Sequence, residues 1–470
     1  MLRSCLSTLR NLNTNKLPVV VDLFSGCGGL AFGFKTAGFT IHHGMDIVQA
    51  AVSTASYNLY WRDGLEGKHL AGNVTEVDSN VFKEGIGEEG CIVIGGPPCQ
   101  AYSQIGRAKL RSLGEHRVHT NDSRGFLFQD FVRIALELNA KAIVMENVPE
   151  AVDYGGLNVP QHVCEILEVN GYRAYWTILN AANFGVPQTR ERVFVIAHKT
   201  DFVQSIQFPI PTHAPVDDKI SPLQSRYKRY EECPHFQLPV KVDSNLPKWV
   251  TAGDALSDLP VLFPNSRSKY QLYKPSIQLP YVKEAENTYQ QLMRNWFGKK
   301  EYTVSGHSFR RTARDFPIFE AMQPGDDYRA ASMIAEDLLE QKCKALSVDK
   351  VEQKDLYEQL RAEIVPPYDR EKFHSKWKKI DRQKPSHTLV AHLSTDTYSH
   401  LHPLEPRGIT VREAARLQSF PDGFLFQCTM GDAFKQIGNA VPPLLAKAIA
   451  QSIKMNLIKN EKAIIDEFVV

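Results

Sequence analysis

The segment VVVDLFSGCGGL constrains this chain more than any other. Val19–Phe24 is a continuous β-branched and apolar run, the pattern of a strand buried on both faces. It runs into a glycine cluster and then a helical stretch from Leu30 to Ala37. A strand, a tight glycine turn and a helix form the first half of a β-α-β unit. Thr40–Asp46, Ile92–Ile94, Ala142–Met145, Tyr172–Leu179 and Val193–Ala197 read as further strands, and Phe126–Leu138 has helical spacing. The expectation for residues 17–199 is a doubly wound, mostly parallel, Rossmann-like α/β sheet.

At 470 residues the chain has room for two or three domains. With 43% hydrophobic and 23% charged residues it is neither disordered nor fibrous. No apolar run reaches the ~18 residues of a membrane span. The eight cysteines are scattered, with no CxxC pair, so neither a structural zinc site nor a disulfide framework is expected; no metal is assigned. Residues 1–16 read as an N-terminal extension. It has Arg3 and Arg10, but not the apolar centre of a secretory signal.

From residue 200 to 385 prolines and aromatics recur and the helix–strand rhythm stops. Net charge is +2 overall, +7 within 219–315 and +4 over 199–385, so the segment is mildly basic. Residues 333–364 read as one long charged amphipathic helix, stopped by Pro366 and Pro367. Helical patterns return from Thr410 and again from Pro442 to about Leu457, within a C-terminal part spanning 386–470.

Four stretches carry chemistry. In the glycine turn, Gly26, Gly28 and Ala31 fit G-x-G-x-x-G/A, which lets backbone approach a nucleotide, and Asp46 ends the next strand where a carboxylate can grip ribose hydroxyls. VIGGPPCQAYS sets Cys99 in a stiff Gly-Pro-Pro loop at the carboxyl edge of the sheet, a position suited to a nucleophile. IVMENVPEA ends a strand with Glu146, an acid able to protonate a ring. In QTRERVFVI, Arg190 and Arg192 alternate and so would share one strand face.

Together the stretches DLFSGCGGL, GGPPCQAYS, ENV, QTRER, TVREAARLQSFPDGF and KQIGNAVPP resemble the DNA (cytosine-5) methyltransferase family, in the family's order and across essentially the whole chain. The resemblance implies a catalytic methyltransferase domain (17–199), an inserted, smaller and irregular target-recognition domain (200–385), and a C-terminal part (386–470) whose last helix returns to the first sheet. It makes Cys99 the nucleophile, Glu146 the acid at the cytosine's N3 and amino group, and Arg190 and Arg192 the arginines beside the base. It implies S-adenosyl-L-methionine as cofactor, held by Phe24, Ser25, Gly26, Gly28, Gly29, Leu30, Asp46, Ile47, Asn73, Pro97, Asn439 and Val441. For DNA it implies Gln100, Ser103, Arg107, Lys109, Arg111, Arg124 and Gln188. The partner is double-stranded DNA, without a membrane. The protein would act as a monomer at the nucleoid in the bacterial cytoplasm, accompanied by cognate restriction or defence-system proteins.

The chemistry is consistent with those residues. C5 of cytosine is too weak a nucleophile to take a methyl group directly; adding the Cys99 thiolate to C6 makes it enamine-like, and Glu146 stabilises the charge at N3. The base must leave the stack, and residues 101–125 suit a mobile basic loop over the DNA. Two departures stand out: Asn73 occupies a position where the family usually has aspartate, and Cys91 another. A tRNA cytosine-5 methyltransferase and a catalytically inactive DNA-binding relative are the alternatives; the long recognition segment argues against the first, and the retained Cys99, Glu146 and arginines against the second.

Overall fold

The computed structural model describes residues 17–98, 127–201, 205–216, 227, 229–262, 273–310, 312, 314–371, 376–395 and 397–468, with side chains as far as 458. Its centre is a seven-stranded sheet. In chain order the strands are β1 (Val19–Leu23), β2 (Ile41–Asp46), β3 (Leu70–Ala71), β4 (Cys91–Gly95), β5 (Ala142–Asn147), β6 (Tyr172–Asn180) and, after the short β7 (Gln188–Thr189), β8 (Glu191–Lys199). The order across the sheet is β3-β2-β1-β4-β5-β8-β6. β3 to β5 pair in parallel, while β8 is antiparallel to both neighbours. The doubly wound, mostly parallel sheet expected from the alternation is therefore present.

Val20, Val21, Ile92, Val93, Ile143 and Val144 are all fully buried, which explains why these strands read as apolar runs, interrupted in β1 by Asp22, rather than as alternating ones. Helix α1 (Gly29–Thr36) and the closing helix α9 (Pro443–Phe468) cover one face. They approach so closely that a Cβ on Gly33 would lie 2.3 Å from the Ala446 Cβ. Helices α3 (Leu127–Glu137) and α4 (Val159–Val169) cover the other face, with Phe128, Phe131, Val163 and Leu167 in its core.

The segment after β8 is not a separate body throughout. Ile206, Phe208, Ala252 and Trp296 join the core on the α1 side. Trp176 on the edge strand β6 donates its N–H to the His235 carbonyl at 2.8 Å and accepts from Gln237 at 2.9 Å, so this stretch covers an otherwise open edge. A distinct small core forms further on, around Ile318, Phe319, Tyr328, Trp377 and Leu401.

The single helix expected over 333–364 is two: α5 (Tyr328–Leu346) and α6 (Lys354–Ile364). Ser347 adopts φ 52 and the Val348 N–H bonds back to the Cys343 carbonyl at 2.9 Å, a left-handed C-terminal stop. Asp349 then accepts the N–H groups of Val351 and Glu352. Arg361 forks onto Glu336 at 2.7 and 2.6 Å, holding the two helices as a hairpin. Charge periodicity continued across this turn, which is why the break was not visible in the pattern.

Among the described residues no helix is long and apolar enough to cross a membrane.

Candidate active site

Leu23 and Gly95 are paired across β1 and β4, so the glycine turn and the Pro97 loop open on the same carboxyl edge of the sheet. Beyond β1 the chain turns sharply: Phe24 and Gly26 have φ 54 and Gly28 has φ 84. Asp46 fixes this turn from the end of β2. Its Oδ2 accepts the Gly26 N–H at 2.9 Å and its Oδ1 the Val48 N–H at 2.8 Å. Burial raises its carboxyl above the ordinary range, against the two backbone donors and Lys435. Each oxygen keeps a lone pair for a further donor. Ile47, next to it, is 73% exposed at the mouth.

The last motif closes this cleft. A Cβ on Gly29 would lie 2.6 Å from the Val441 carbonyl oxygen and 3.2 Å from the Ala440 Cβ, so the segment after helix α8 (Met430–Asn439) lies directly against the turn. Asn439 is exposed beside it.

Two polar groups at the turn lack hydrogen-bond partners among the described residues: the buried Ser25 hydroxyl and the carboxylate of Asp22. The Ala31 backbone N–H lies toward Asp22 and favours its charged form. Burial, with Asp46 nearby, pushes the Asp22 carboxyl well up. An open glycine cradle, unused buried polar atoms and a carboxylate with spare lone pairs fit a ligand with ribose hydroxyls and an amino-acid end, as S-adenosylmethionine has. Asp22 was not singled out from the sequence, although a lone acid inside an apolar strand is itself a signal. Asn73, by contrast, is engaged locally: its carbonyl accepts from Thr75 at 3.2 Å and its amide donates to Glu76 at 2.8 Å.

The acid site lies one strand over. Gly96 and Pro97 follow β4, and Glu146 lies near the end of β5. A Cβ on Gly96 would be 3.0 Å from Glu146 Oε2, so the carboxylate leans over the start of the loop that carries Cys99. Glu146 is opposite Phe194 in the antiparallel β5–β8 register, which puts Arg192 on the same face one diagonal step away. Arg192 Nε reaches Glu146 Oε1 at 2.9 Å. Burial raises the Glu146 carboxyl, and the positive charges of Arg192 and Arg190 pull it part-way back.

Arg190 and Gln188 are placed otherwise than the alternation suggested. Arg190 falls between β7 and β8 and is fully buried, with its guanidinium on the carbonyls of Leu389 and Gly438 at 2.8 and 3.0 Å. Gln188 is fully buried too, bonded to Leu389, Leu417 and Gln418 rather than turned outward to DNA. The strand breaks at Arg190, between the two-residue β7 and the nine-residue β8, and the two guanidinium groups take different partners. Cys99, Gln100, Ser103, Arg107, Lys109, Arg111 and Arg124 lie outside the described residues.

His402, Glu405 and Glu413 bring three metal-type ligand atoms within 4.8 Å of one another. Arg407 occupies that cluster, bonding Glu405 at 2.8 Å and Glu413 at 2.7 Å, and so already supplies the positive charge.

A Rossmann-like sheet with a glycine cradle and an acid–arginine pair on one edge has the layout of a nucleotide-binding α/β protein. Residues 19–455 match the family model of the C-5 cytosine-specific DNA methylases, and the chain belongs to that family. It is 54% identical to a protein of Oceanobacillus iheyensis assigned as a type II methyltransferase, over 94% of this chain and 96% of that one. It is 29% identical to the type II methyltransferase M.AgeI of Thalassovita gelatinovora, over 93% of this chain and 99% of the other. A solved structure described as a DNA modification methyltransferase of an E. coli prophage matches with TM-score 0.60 at 21% identity, covering 94% of this chain and 99% of that one, and shares the fold.

Proposed function

We propose that this protein methylates C5 of a cytosine within a specific duplex DNA sequence, using S-adenosylmethionine and a transient covalent bond from Cys99. The observation that carries the reading is the Glu146–Arg192 pair, leaning over Gly96 at the start of the Cys99 loop and opening on the same edge as the glycine cradle. S-adenosylmethionine, when bound, supplies an electrophilic methyl group.

The chain's own residues do the rest. The cradle from Phe24 to Leu30, with Asp46, Ile47, Pro97, Asn439 and Val441, holds the donor. The Cys99 thiolate adds to C6 of a flipped-out cytosine, and the electron pair displaced toward N3 is stabilised there by Glu146. Arg192 orients that carboxyl. After C5 gains its methyl group, loss of the C5 proton and departure of the thiolate restore the ring.

Residues 200–385 would read the target through arginine and asparagine at base edges and lysine at phosphates. The protein works as a monomer on double-stranded DNA in the bacterial cytoplasm, with a cognate restriction or defence-system enzyme as its partner activity. Bisulfite sequencing of DNA from cells expressing the full chain tests the reading. One protected cytosine in a recurring sequence is expected; uniformly converted DNA would overturn it.

A further inference from the structure

Four segments separated in sequence meet at one buried point: β7 and its continuation, the chain returning from the inserted segment, the end of the helix Val411–Leu417, and the closing motif. Leu389 is the hub. Its N–H donates to Gln188 Oε1 at 2.9 Å, and its carbonyl accepts from Arg190 Nη1 at 2.8 Å. Two arms run on from there. Arg190 Nη2 donates to the Gly438 carbonyl at 3.0 Å. Gln188 Nε2 donates to Gln418 Oε1 at 2.5 Å, and Gln418 Nε2 donates to the Ala440 carbonyl at 2.6 Å.

The arms therefore grip the carbonyls on either side of Asn439. All three side chains are fully buried, so water does not compete for these bonds. The backbone is equally tight: a Cβ on Gly438 would lie 2.4 Å from the Val390 carbonyl carbon. On its other side the same segment sets Val441 against Gly29 of the cradle.

We propose that Gln188, Arg190 and Gln418 are positioning residues for the methyl donor: their buried ring sets Asn439 and Val441 against the glycine turn and ties that setting to the strand carrying Arg192. The proposal rests on the reading of the cleft as an S-adenosylmethionine site. Because the bonds form a closed ring, opening any link releases the same segment, so the losses are not independent.

The test uses the full chain, duplex DNA and labelled S-adenosylmethionine. Gln418→Met should raise the KM for S-adenosylmethionine about tenfold with kcat within about twofold, the pattern of lost binding rather than lost chemistry. Gln188→Met should act alike, and the double variant should be no worse than the weaker single. Gln418→Glu, nearly isosteric, lacks the donor to Ala440 at neutral pH and regains it on protonation. Its KM relative to wild type should therefore fall toward one as pH is lowered, a trend a merely structural role would not produce. If Gln418→Met does not fold, Gln418→Glu and Gln188→Glu carry the same comparison. An unchanged KM in folded variants, a loss confined to kcat, or additive losses in the double variant would overturn the proposal. A wild-type chain that transfers no methyl group would instead overturn the reading beneath it.

Discussion

Arg192 Nε and Glu146 Oε1 lie 2.9 Å apart at the carboxyl edge of the sheet, and each side chain is only about a tenth exposed (13% and 11%). The pair joins two strands that run in opposite directions. Glu146 and Phe194 are directly opposite, and Arg192 is two residues beyond Phe194, so the antiparallel register of β8 brings the cation to the acid. A parallel β8 would place the strand's other end there.

That geometry predicts a pH dependence. Burial, the larger effect, holds the Glu146 carboxyl above its ordinary value of 4.5 despite the arginines. A raised value in the fold means that the protonated acid persists to higher pH than in an unfolded chain. Its contribution to stability is full below the unfolded value and is lost as pH rises through the folded one; hydrogen donation to N3 follows the same course. Glu146→Gln should lower kcat by ~10²–10⁴-fold and remove this limb from the pH–rate profile. Single-turnover rates across pH check both; a limb that survives in the variant would assign it to another group.

Cys99→Ser should abolish methylation while leaving S-adenosylmethionine binding intact, because an alcohol is a far poorer nucleophile than a thiolate. It should also abolish covalent trapping on duplex DNA carrying 5-fluorocytosine. Turnover retained in the variant would rule out covalent addition through this residue.

Asp46→Ala should weaken S-adenosylmethionine binding by about 1.5–3 kcal/mol, the scale of hydrogen bonds to a charged group. The substitution also removes the acceptor that fixes the Gly26 and Val48 N–H groups. Asp46→Asn keeps one carbonyl acceptor and should lose less. Titration calorimetry ranks the three proteins; equal affinities would exclude Asp46 as a donor contact.

Arg416 sits fully buried between two acids. It forks onto Asp422 at 2.6 Å through both Nε and Nη2, and its Nη1 reaches Asp258 at 3.0 Å. Asp258 would keep Arg294 at 2.6 Å, but the buried Asp422 would lose its main partner, so Arg416→Met should cost ~3–5 kcal/mol. Denaturant unfolding measures it; a loss below about 1 kcal/mol would mean that the acids find protons or water instead.

Exchanging the segment between Gln237 and Ser386 for that of a relative with known specificity should change the methylated sequence and leave the chemistry intact. The boundaries follow the structure: His235 and Gln237 lace onto Trp176, and Ser386–His387 pairs with Gln188–Thr189. Sequencing of methylated sites decides it. An active chimera that still modifies the original site would place recognition elsewhere, with residues 101–125 the first candidate.

Much of this molecule is determined by local sequence. A doubly buried strand is mostly apolar, and a chain turning from strand to helix within a few residues favours glycine where φ is positive; both leave marks that read without a fold, as at Val19–Gly29. The acid at the end of β5 and the carboxylate at the end of β2 were legible for the same reason, since strand ends are set by their own residues. Tertiary structure alone decided which polar side chains face the cleft. Arg190 and Arg192 look equivalent in QTRER, yet Arg190 falls in the break between β7 and β8 and is buried on Leu389 and Gly438, while Arg192 reaches Glu146. Gln418 and Arg416 look like the polar side of a short helix, yet both are fully buried, because Gln188, Asp258 and Ala440 come from positions 22 to 230 residues away and the turn after the helix adds Asp422. A buried polar group is stable only when matched by a donor or acceptor, and that match is made by whichever distant segment the fold brings alongside.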